Sequence, residues 1–428
     1  MRADMLQSLF FELPRVRRFI KNLADNLRDR QNLILLTKQY IDREEITQRI
    51  EDEISHWAHH ERIDLTRLSA TEPIAFSISK MYEVEWHKNA VPPTVANLVR
   101  AQGLPEILFI EGFEYLRPEH RSRLLEFLEQ WSQYSHNALD VGGRPTAFVL
   151  VIPANSTMKL PKSNVALSVR WLWGIPSGLE SKLLIRIMQE TNSVNNSWQN
   201  LWRENVLPAI SGDDLSLADQ LWDDCLDISR ITDSLRKYAM QREWDRQSLL
   251  ARGITESFSG GLKKERYDIS RPPQQWKGLW EEGLITWTTE YGAEIHIAAI
   301  VQLEWKEELQ HRLWRGQAQL LLPMIDDLRL YFCERLTRDY GRDWPFKIQE
   351  PADEEQKEKV RETPLACEWG HMQYLISTCH FFKSSRQLVP TIKLARQIRN
   401  DLAHYQPIEF PVYNQFCREY QSKIKNVL

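Results

Sequence analysis

The chain has 428 residues, enough for roughly two to four domains with cores of their own. A formal charge of -4 and an isoelectric point near 6.3 exclude a generally basic protein that coats DNA. Its five cysteines, Cys225, Cys333, Cys367, Cys379 and Cys417, are scattered and odd in number, which excludes a disulfide framework. Cys367 lies near His371 and Cys379 beside His380, but no Cys-x2-Cys knuckle accompanies them, so neither a metal site nor a cofactor is expected. Met1-Arg-Ala-Asp-Met-Leu6 does not read as a signal peptide, and no apolar run reaches membrane length. A cytoplasmic protein without membrane contact is expected. The 16 tryptophans mostly fall at helical spacing among Leu and Ile, which assigns them to the core rather than to stacking platforms.

In chain order, Pro14 to Arg30 reads as a basic amphipathic helix with Val16, Phe19, Ile20, Leu23 and Leu27 on one side. Asn32–Leu36 follows as a short apolar run, the pattern of a buried parallel strand. A helix over Ile41–Trp57 and a strand over Arg62–Leu65 come next. Pro93–Gln102 predicts a short helix, Glu106–Glu111 a buried strand and Arg117–Tyr134 a helix. Strands over Ala147–Pro153 and Leu167–Leu172 complete the series. Strands alternating with helices of this length predict an α/β doubly wound sheet over residues 1–175.

The order of these pieces resembles an AAA+ or STAND-type nucleotide-binding core. Ile107-Leu-Phe-Ile-Glu111 is similar to the family's apolar strand ending in an acid near Mg²⁺, and Val149–Asn155 to its strand ending in a polar sensor. One departure is severe. The phosphate loop needs glycines so that backbone N–H groups can curl round phosphates, whereas here the first strand runs into Thr37-Lys-Gln-Tyr40, and no glycine precedes Gly103. A cradle without glycine requires left-handed backbone at costly positions. The resemblance therefore implies a degenerate domain that does not hydrolyse ATP, with Lys38 and Glu111 as relics and Glu111 expected in an ion pair or at a strand-end backbone.

Residues 176–242 read as a helical lid or linker, with helices over Leu179–Glu190, Trp198–Ala209 and Leu215–Arg236. Ser259-Gly-Gly261 and Arg271-Pro-Pro273 read as breaks. Within residues 243–300, a helix ending Glu281-Glu-Gly-Leu-Ile285 followed by a hairpin turning at Tyr291-Gly292 resembles a winged helix. Such modules bind DNA through basic and polar residues on the second helix. Few stand here, so a spacer is the reading, with DNA as the rival partner.

Residues 301–428 read as a helical domain. Gln302–Asp339 predicts a long helical tract kinked or broken at Pro323. Ile348–Pro364 is polar and nearly free of apolar residues, the composition of an exposed, mobile loop. Glu368–Phe382 predicts a third helix, and Thr391–His404, punctuated by Pro390 and Pro407, a fourth of about four turns. Leu394, Ile398 and Leu402 recur every fourth residue as its expected buried stripe, with Ala395 beside them. Off that stripe sit Arg399, Asn400 and His404. Positions five apart at about 100° each lie roughly 140° apart around the helix, so Arg399 and His404 flank the stripe. From Lys383 onward there are eight Lys or Arg against three Asp or Glu, a balance suited to a polyanion.

Arg399, Asn400 and His404 form an Arg-x4-His pattern that resembles the signature of the HEPN superfamily. Its members are all-α domains, and the active ones are metal-independent ribonucleases. The resemblance implies that the arginine and histidine carry RNA cleavage, with Asn400 in support, in a cleft between two protomers. It thus implies an RNA substrate and a homodimer or a co-encoded partner. The chemistry is simple. RNA supplies its own 2′-hydroxyl nucleophile, a histidine moves protons near neutral pH, and a guanidinium offers two parallel hydrogen bonds to phosphate oxygens. The leading expectation is a HEPN-type endoribonuclease effector of a bacterial defence or conflict system, toxin-like and controlled by the degenerate N-terminal core. The rivals are a non-catalytic adaptor using the bundle for dimerisation and a DNA-binding regulator working through the winged-helix-like segment.

Overall fold

The computed structural model describes residues 8–38, 41–67, 72–84, 94–153, 159–191, 197–262, 271–288, 290–347, 351 and 353–424. The architecture is mixed α/β, predominantly helical, with two compact units interleaved in sequence. One comprises Met1–Glu180 with Leu250–His296, the other Ser181–Leu249 with Ile297–Leu428.

The first unit is built on a five-stranded sheet. Its strands are β1 (Asn32–Thr37), β2 (His60–Asp64), β3 (Ile107–Glu111), β4 (Ala147–Pro153) and β5 (Leu167–Trp171). They stand in the order β2-β3-β4-β1-β5, with every pairing parallel. All six residues of β1 are buried, as its unbroken apolar run requires of a strand with neighbours on both sides. Asn32 locks the register at its entrance: Nδ2 donates to the Ala166 carbonyl at 2.8 Å, and Oδ1 accepts from the Phe148 N–H at 2.9 Å. The expected strands thus all form, with β2 beginning two residues early. The polar sensor position Asn155, Tyr40 and Pro93 lie outside the described residues.

Around the sheet pack α1 (Pro14–Arg28), α2 (Arg43–Ile54) and α3 (Pro118–Asp140). Of the expected stripe of α1, Val16, Ile20, Leu23 and Leu27 are buried and Phe19 is only half-buried, with Ala24 added to the buried face. Asp42 caps α2, its carboxylate accepting from the N–H groups of Glu44 and Glu45. Trp131 of α3 meets Phe148 edge-to-face at 4.9 Å and donates its indole N–H to the Thr146 carbonyl.

The hairpin expected after Glu281 forms as β6 (Ile285–Thr288) and β7 (Gly292–Ile295), with Ile285 opposite Ile295. The Trp287 ring lies against Gly174, where a Cβ would approach it to 2.4 Å, and stacks on Trp173 at 5.8 Å. Only a glycine, here at φ 67°, leaves room for that ring. The expected break at Ser259-Gly-Gly261 does not occur: those residues lie within the helix Glu256–Leu262. In the short helix Lys277–Glu281 both charged ends are nearly buried, with Lys277 Nζ 3.5 Å from Glu281 Oε1. The Glu281 oxygens make no hydrogen bond. Burial pushes the Glu281 carboxyl up to about 7, and the Lys277 ammonium lowers it only in part.

The described residues of the second unit form helices and no strand. It contains α4 (Ser197–Ser211), α5 (Lys306–Tyr340), α6 (Glu354–Glu362), α7 (Trp369–Thr378), α8 (Val389–Ala403) and α9 (Phe410–Ile424). The tract expected over Leu215–Arg236 is divided into Leu215–Gln220 and Ile228–Gln241, because Asp227 restarts the chain as an N-cap accepting from Ser229 and Arg230. Pro323 does not break α5, which runs through it for 35 residues. The proline is exposed, while Leu320, Leu321 and Ile325 beside it are buried and hold the helix in place. Of the polar stretch expected as a mobile loop, residues 348–350 and 352 lie outside the described residues, and Glu354–Glu362 forms α6 instead. Asp353 caps it, Glu354 and Glu355 fill the first turn, Lys359 and Arg361 the last, and Val360 anchors it. The tryptophans expected in the core include Trp131, Trp202, Trp280 and Trp344, all fully buried.

Gly316 of α5 sets the approach of α4: a Cβ there would lie 2.6 Å from the Asn205 carbonyl. Gly316→Ala is expected to lower stability by about 1–2 kcal/mol, although alanine favours a helix interior by roughly 1 kcal/mol. A chemical-denaturation midpoint that falls at unchanged slope checks this.

The Glu281 carboxyl titrates higher in the folded chain than its ordinary 4.5, so its contribution is fully present below about 4.5 and lost as pH rises through about 7. Glu281→Gln is therefore expected to gain stability relative to the parent chain between pH 5 and pH 8, by on the order of 2 kcal/mol. Melting curves at the two pH values measure it.

Candidate functional site

Two places hold the residues singled out by sequence. The first is a cavity of about 720 Å³ beyond the C-terminal ends of the sheet strands, where ligands of open α/β sheets bind. Glu111 reaches it at the end of β3, and Gly112, at φ 77°, turns the chain away with no room for a side chain beside Asp64. Arg62 of β2 dominates its chemistry. Its guanidinium donates to both oxygens of Glu51 at 2.7 and 2.6 Å, to Glu44 at 2.5 Å and to Glu111 at 2.8 Å. These bonds, that to Glu51 foremost, hold the guanidinium above its usual value against the opposing effect of burial. Glu111 is thus in the ion pair that the sequence suggested. Lys38, at the end of β1, is buried and does not line the cavity.

The lining sets five carboxylates (Asp42, Glu44, Asp64, Glu111 and Glu114) against the guanidiniums of Arg43 and Arg62. Arg43 also pairs with Glu114 at 3.8 Å. Phosphates would meet net negative charge and cations already engaged.

The second place is the end of α8. The helix buries Thr391, Ile392, Ala395, Ile398 and Leu402, while Leu394, expected in the stripe, is only half-buried. The apolar line that faces the neighbouring helices starts at Ile392, two positions before Leu394, and passes through Ala395. Thr391 Oγ1 donates to Glu419 of α9 at 2.6 Å, fixing the start of the helix. At the other end, His404 is the C-cap and Tyr405 stands in the left-handed region at φ 59°. Tyr405 N–H donates to the Leu402 carbonyl at 3.3 Å and Gln406 N–H to the Asp401 carbonyl at 2.9 Å, a Schellman closure. Trp314 of α5 adds its indole N–H to the same Leu402 carbonyl at 2.6 Å.

Arg399 and His404 are exposed, and Asn400 is half-buried between them. Arg399 Nη1 donates to Asn400 Oδ1 at 3.4 Å, and among the described residues it has no carboxylate partner. The His404 ring likewise has no hydrogen-bond partner among them. No bond joins Arg399 to His404 within one chain.

Sequence reasoning passed over the rings beside His404. Tyr405, 60% exposed, packs on Trp314 at 4.6 Å, and His311 stacks on Trp314 at 5.3 Å. His311 and Trp314 stand three apart on one helix face, a spacing legible in sequence, but their meeting with Tyr405 is long-range.

Among the described residues, no group of three or more His, Cys, Asp or Glu is placed to hold a metal ion, and no helix is long and apolar enough to cross a membrane. The buried thiols of Cys225, Cys333, Cys367 and Cys417 are all pushed up by burial, Cys225 to about 12.

The fold and these two places define a mixed α/β chain with a five-stranded parallel sheet and a separate helical unit. No family model, curated protein or solved structure matches the chain.

The acidic cavity yields a direct expectation. Calorimetry with ATP and Mg²⁺ is expected to give no binding in the micromolar range, and Arg62→Ala to create none, because the carboxylates remain.

Proposed function

We propose that the chain is a metal-independent, HEPN-type endoribonuclease whose site is formed by Arg399, Asn400 and His404, controlled by a degenerate AAA+/STAND-like domain. One observation carries this reading: among the described residues, a guanidinium without a carboxylate partner and an imidazole without a hydrogen-bond partner stand exposed near one helix end. Some surface arginines elsewhere in the chain, such as Arg252 with Glu282, are matched by carboxylates. In the proposed step, His404 takes the proton of the RNA 2′-hydroxyl, whose oxygen attacks the adjacent phosphorus. Arg399 holds the non-bridging oxygens as charge builds, and the P–O5′ bond breaks, the 5′-oxygen taking a proton from water and leaving a 2′,3′-cyclic phosphate. Because no bond links Arg399 to His404 within the chain, the working site is assembled from two copies, or from one copy and a co-encoded partner.

The setting in a defence or toxin-like system follows from the same resemblance. The interior placement of β1, between β4 and β5, and the acid at the end of β3 support the nucleotide-binding ancestry of the first unit; Arg62 bonded to Glu111 supports its loss of function. A DNA-binding reading of the hairpin is less favoured, since the preceding helix buries Trp280 and Glu281.

Mutation separates the roles. His404→Ala is expected to lower RNA cleavage by ~10²–10⁴ with binding largely spared, whereas Arg399→Ala weakens both. Asn400→Ala is expected to be milder, EDTA to be without effect, and RNA carrying 2′-deoxy at the cut to resist. Cleavage by the full system that persists in His404→Ala would sink the assignment, and with it the choice over a non-catalytic adaptor.

A further inference from the structure

The edge strand β5 borders a second cavity of the first unit, about 780 Å³, whose character is opposite to that of the acidic one. Among the described residues Lys159, Lys162, Arg271 and Lys277 line it, and no carboxylate does. Lys159, Lys162 and Arg271 are exposed and have no ion pair among the described residues. Lys277 is held in the wall: its ammonium sits over the Trp171 ring at 5.3 Å, and Glu281 lies 3.5 Å away. The rings of Trp171, Pro161, Pro272 and Pro273 line the same cavity. The Ser163 hydroxyl, accepting from the Val169 N–H at 3.1 Å, ties the lysine-bearing segment to β5, so the wall is part of the fold.

Two features limit what such a place takes. The chain as a whole is at -4, so attraction for an anion here is local, set by Lys159, Lys162 and Arg271, which no acid offsets among the described residues. The volume exceeds what one phosphate fills, and the mix of cations with flat apolar rings suits a ligand that alternates phosphate with base and sugar. Bases reach such rings only when unpaired. A carboxylate-rich peptide would use the charges but leave the rings idle, and a membrane surface would not enter a concavity.

The geometry points to a single-stranded nucleic-acid site in this cleft, in which Lys159, Lys162 and Arg271 neutralise backbone phosphates while Trp171 and the proline rings pack against bases and sugars. It is separate from Arg399 and His404, and it stands whether or not the chain cuts RNA.

The test is fluorescence anisotropy of the whole chain with a short labelled 2′-O-methyl RNA, which no 2′-hydroxyl chemistry can cleave, across a salt series. Lys159→Glu, Lys162→Glu and Arg271→Glu combined is expected to weaken binding at least about tenfold and flatten the log–log salt slope by about 2, since each single-strand phosphate contact contributes ~0.7. Arg271→Gln alone is expected to flatten it by ~0.7, which keeps the test open if the triple variant folds poorly. Poly-glutamate and inorganic triphosphate are expected to compete far less well than unlabelled oligonucleotide. Unchanged affinity and slope in both variants would overturn the site, as would competition by poly-glutamate or triphosphate equal to that of the oligonucleotide. No cleavage is read, so a failure of the ribonuclease assignment leaves this result untouched.

Discussion

The last carbonyls of a helix have no partner within it, and the candidate site depends on how α8 satisfies that constraint. The Leu402 carbonyl receives the Trp314 indole N–H at 2.6 Å and the Tyr405 N–H at 3.3 Å. The first bond comes from α5, 88 residues earlier, and fixes the end of α8 against the longest helix of the unit. The second requires Tyr405 at φ 59°, which a residue other than glycine adopts at some cost. The packing of Tyr405 on Trp314 and His311 supplies the compensation. His404 therefore leaves the helix at a defined point, with its ring outward and unpaired.

The first unit shows a different logic, in which cavities of opposite charge share one sheet. At the strand C-termini, acids outnumber cations and draw in Arg62 from every side, which consumes the acid expected to serve a metal–nucleotide complex. At the β5 edge, Lys159, Lys162 and Arg271 stand without acids among the described residues. A nucleotide-binding crevice needs backbone N–H groups, free cations or both. The segment after β1 has no glycine for the former, and the cavity has engaged the latter. Whatever anion this unit meets is better received at the edge than at the crevice.

Much of this was legible in the sequence where one local signal was strong. The unbroken apolar run Leu33–Leu36 and the runs at Ile107 and Ala147 could only be satisfied between other strands, so the parallel sheet followed from composition alone. Other signals were present but outweighed. Asp353 with Glu354, Glu355, Lys359 and Arg361 is a cap and a charge gradient, and a single buried Val360 sufficed to make a helix of a stretch that polarity marked as loop. Pro323 carried a local rule for a break, which packing on both sides overrode.

By itself the sequence determined the strands, the motif helix and the spacing of Arg399, Asn400 and His404, because these rest on periodicity and on contacts a few residues long. Only the tertiary structure decided which face of α8 is buried, moving the stripe from Leu394 to Ile392, since that depends on what α5, α7 and α9 present to it. It alone brought Arg62 to Glu111, Trp314 to Leu402, and Lys159 and Lys162 to Arg271, over separations of 49, 88 and roughly a hundred residues. Pairings at such range leave no periodic trace in a single chain. They appear only when the sheet and the helices have closed around them.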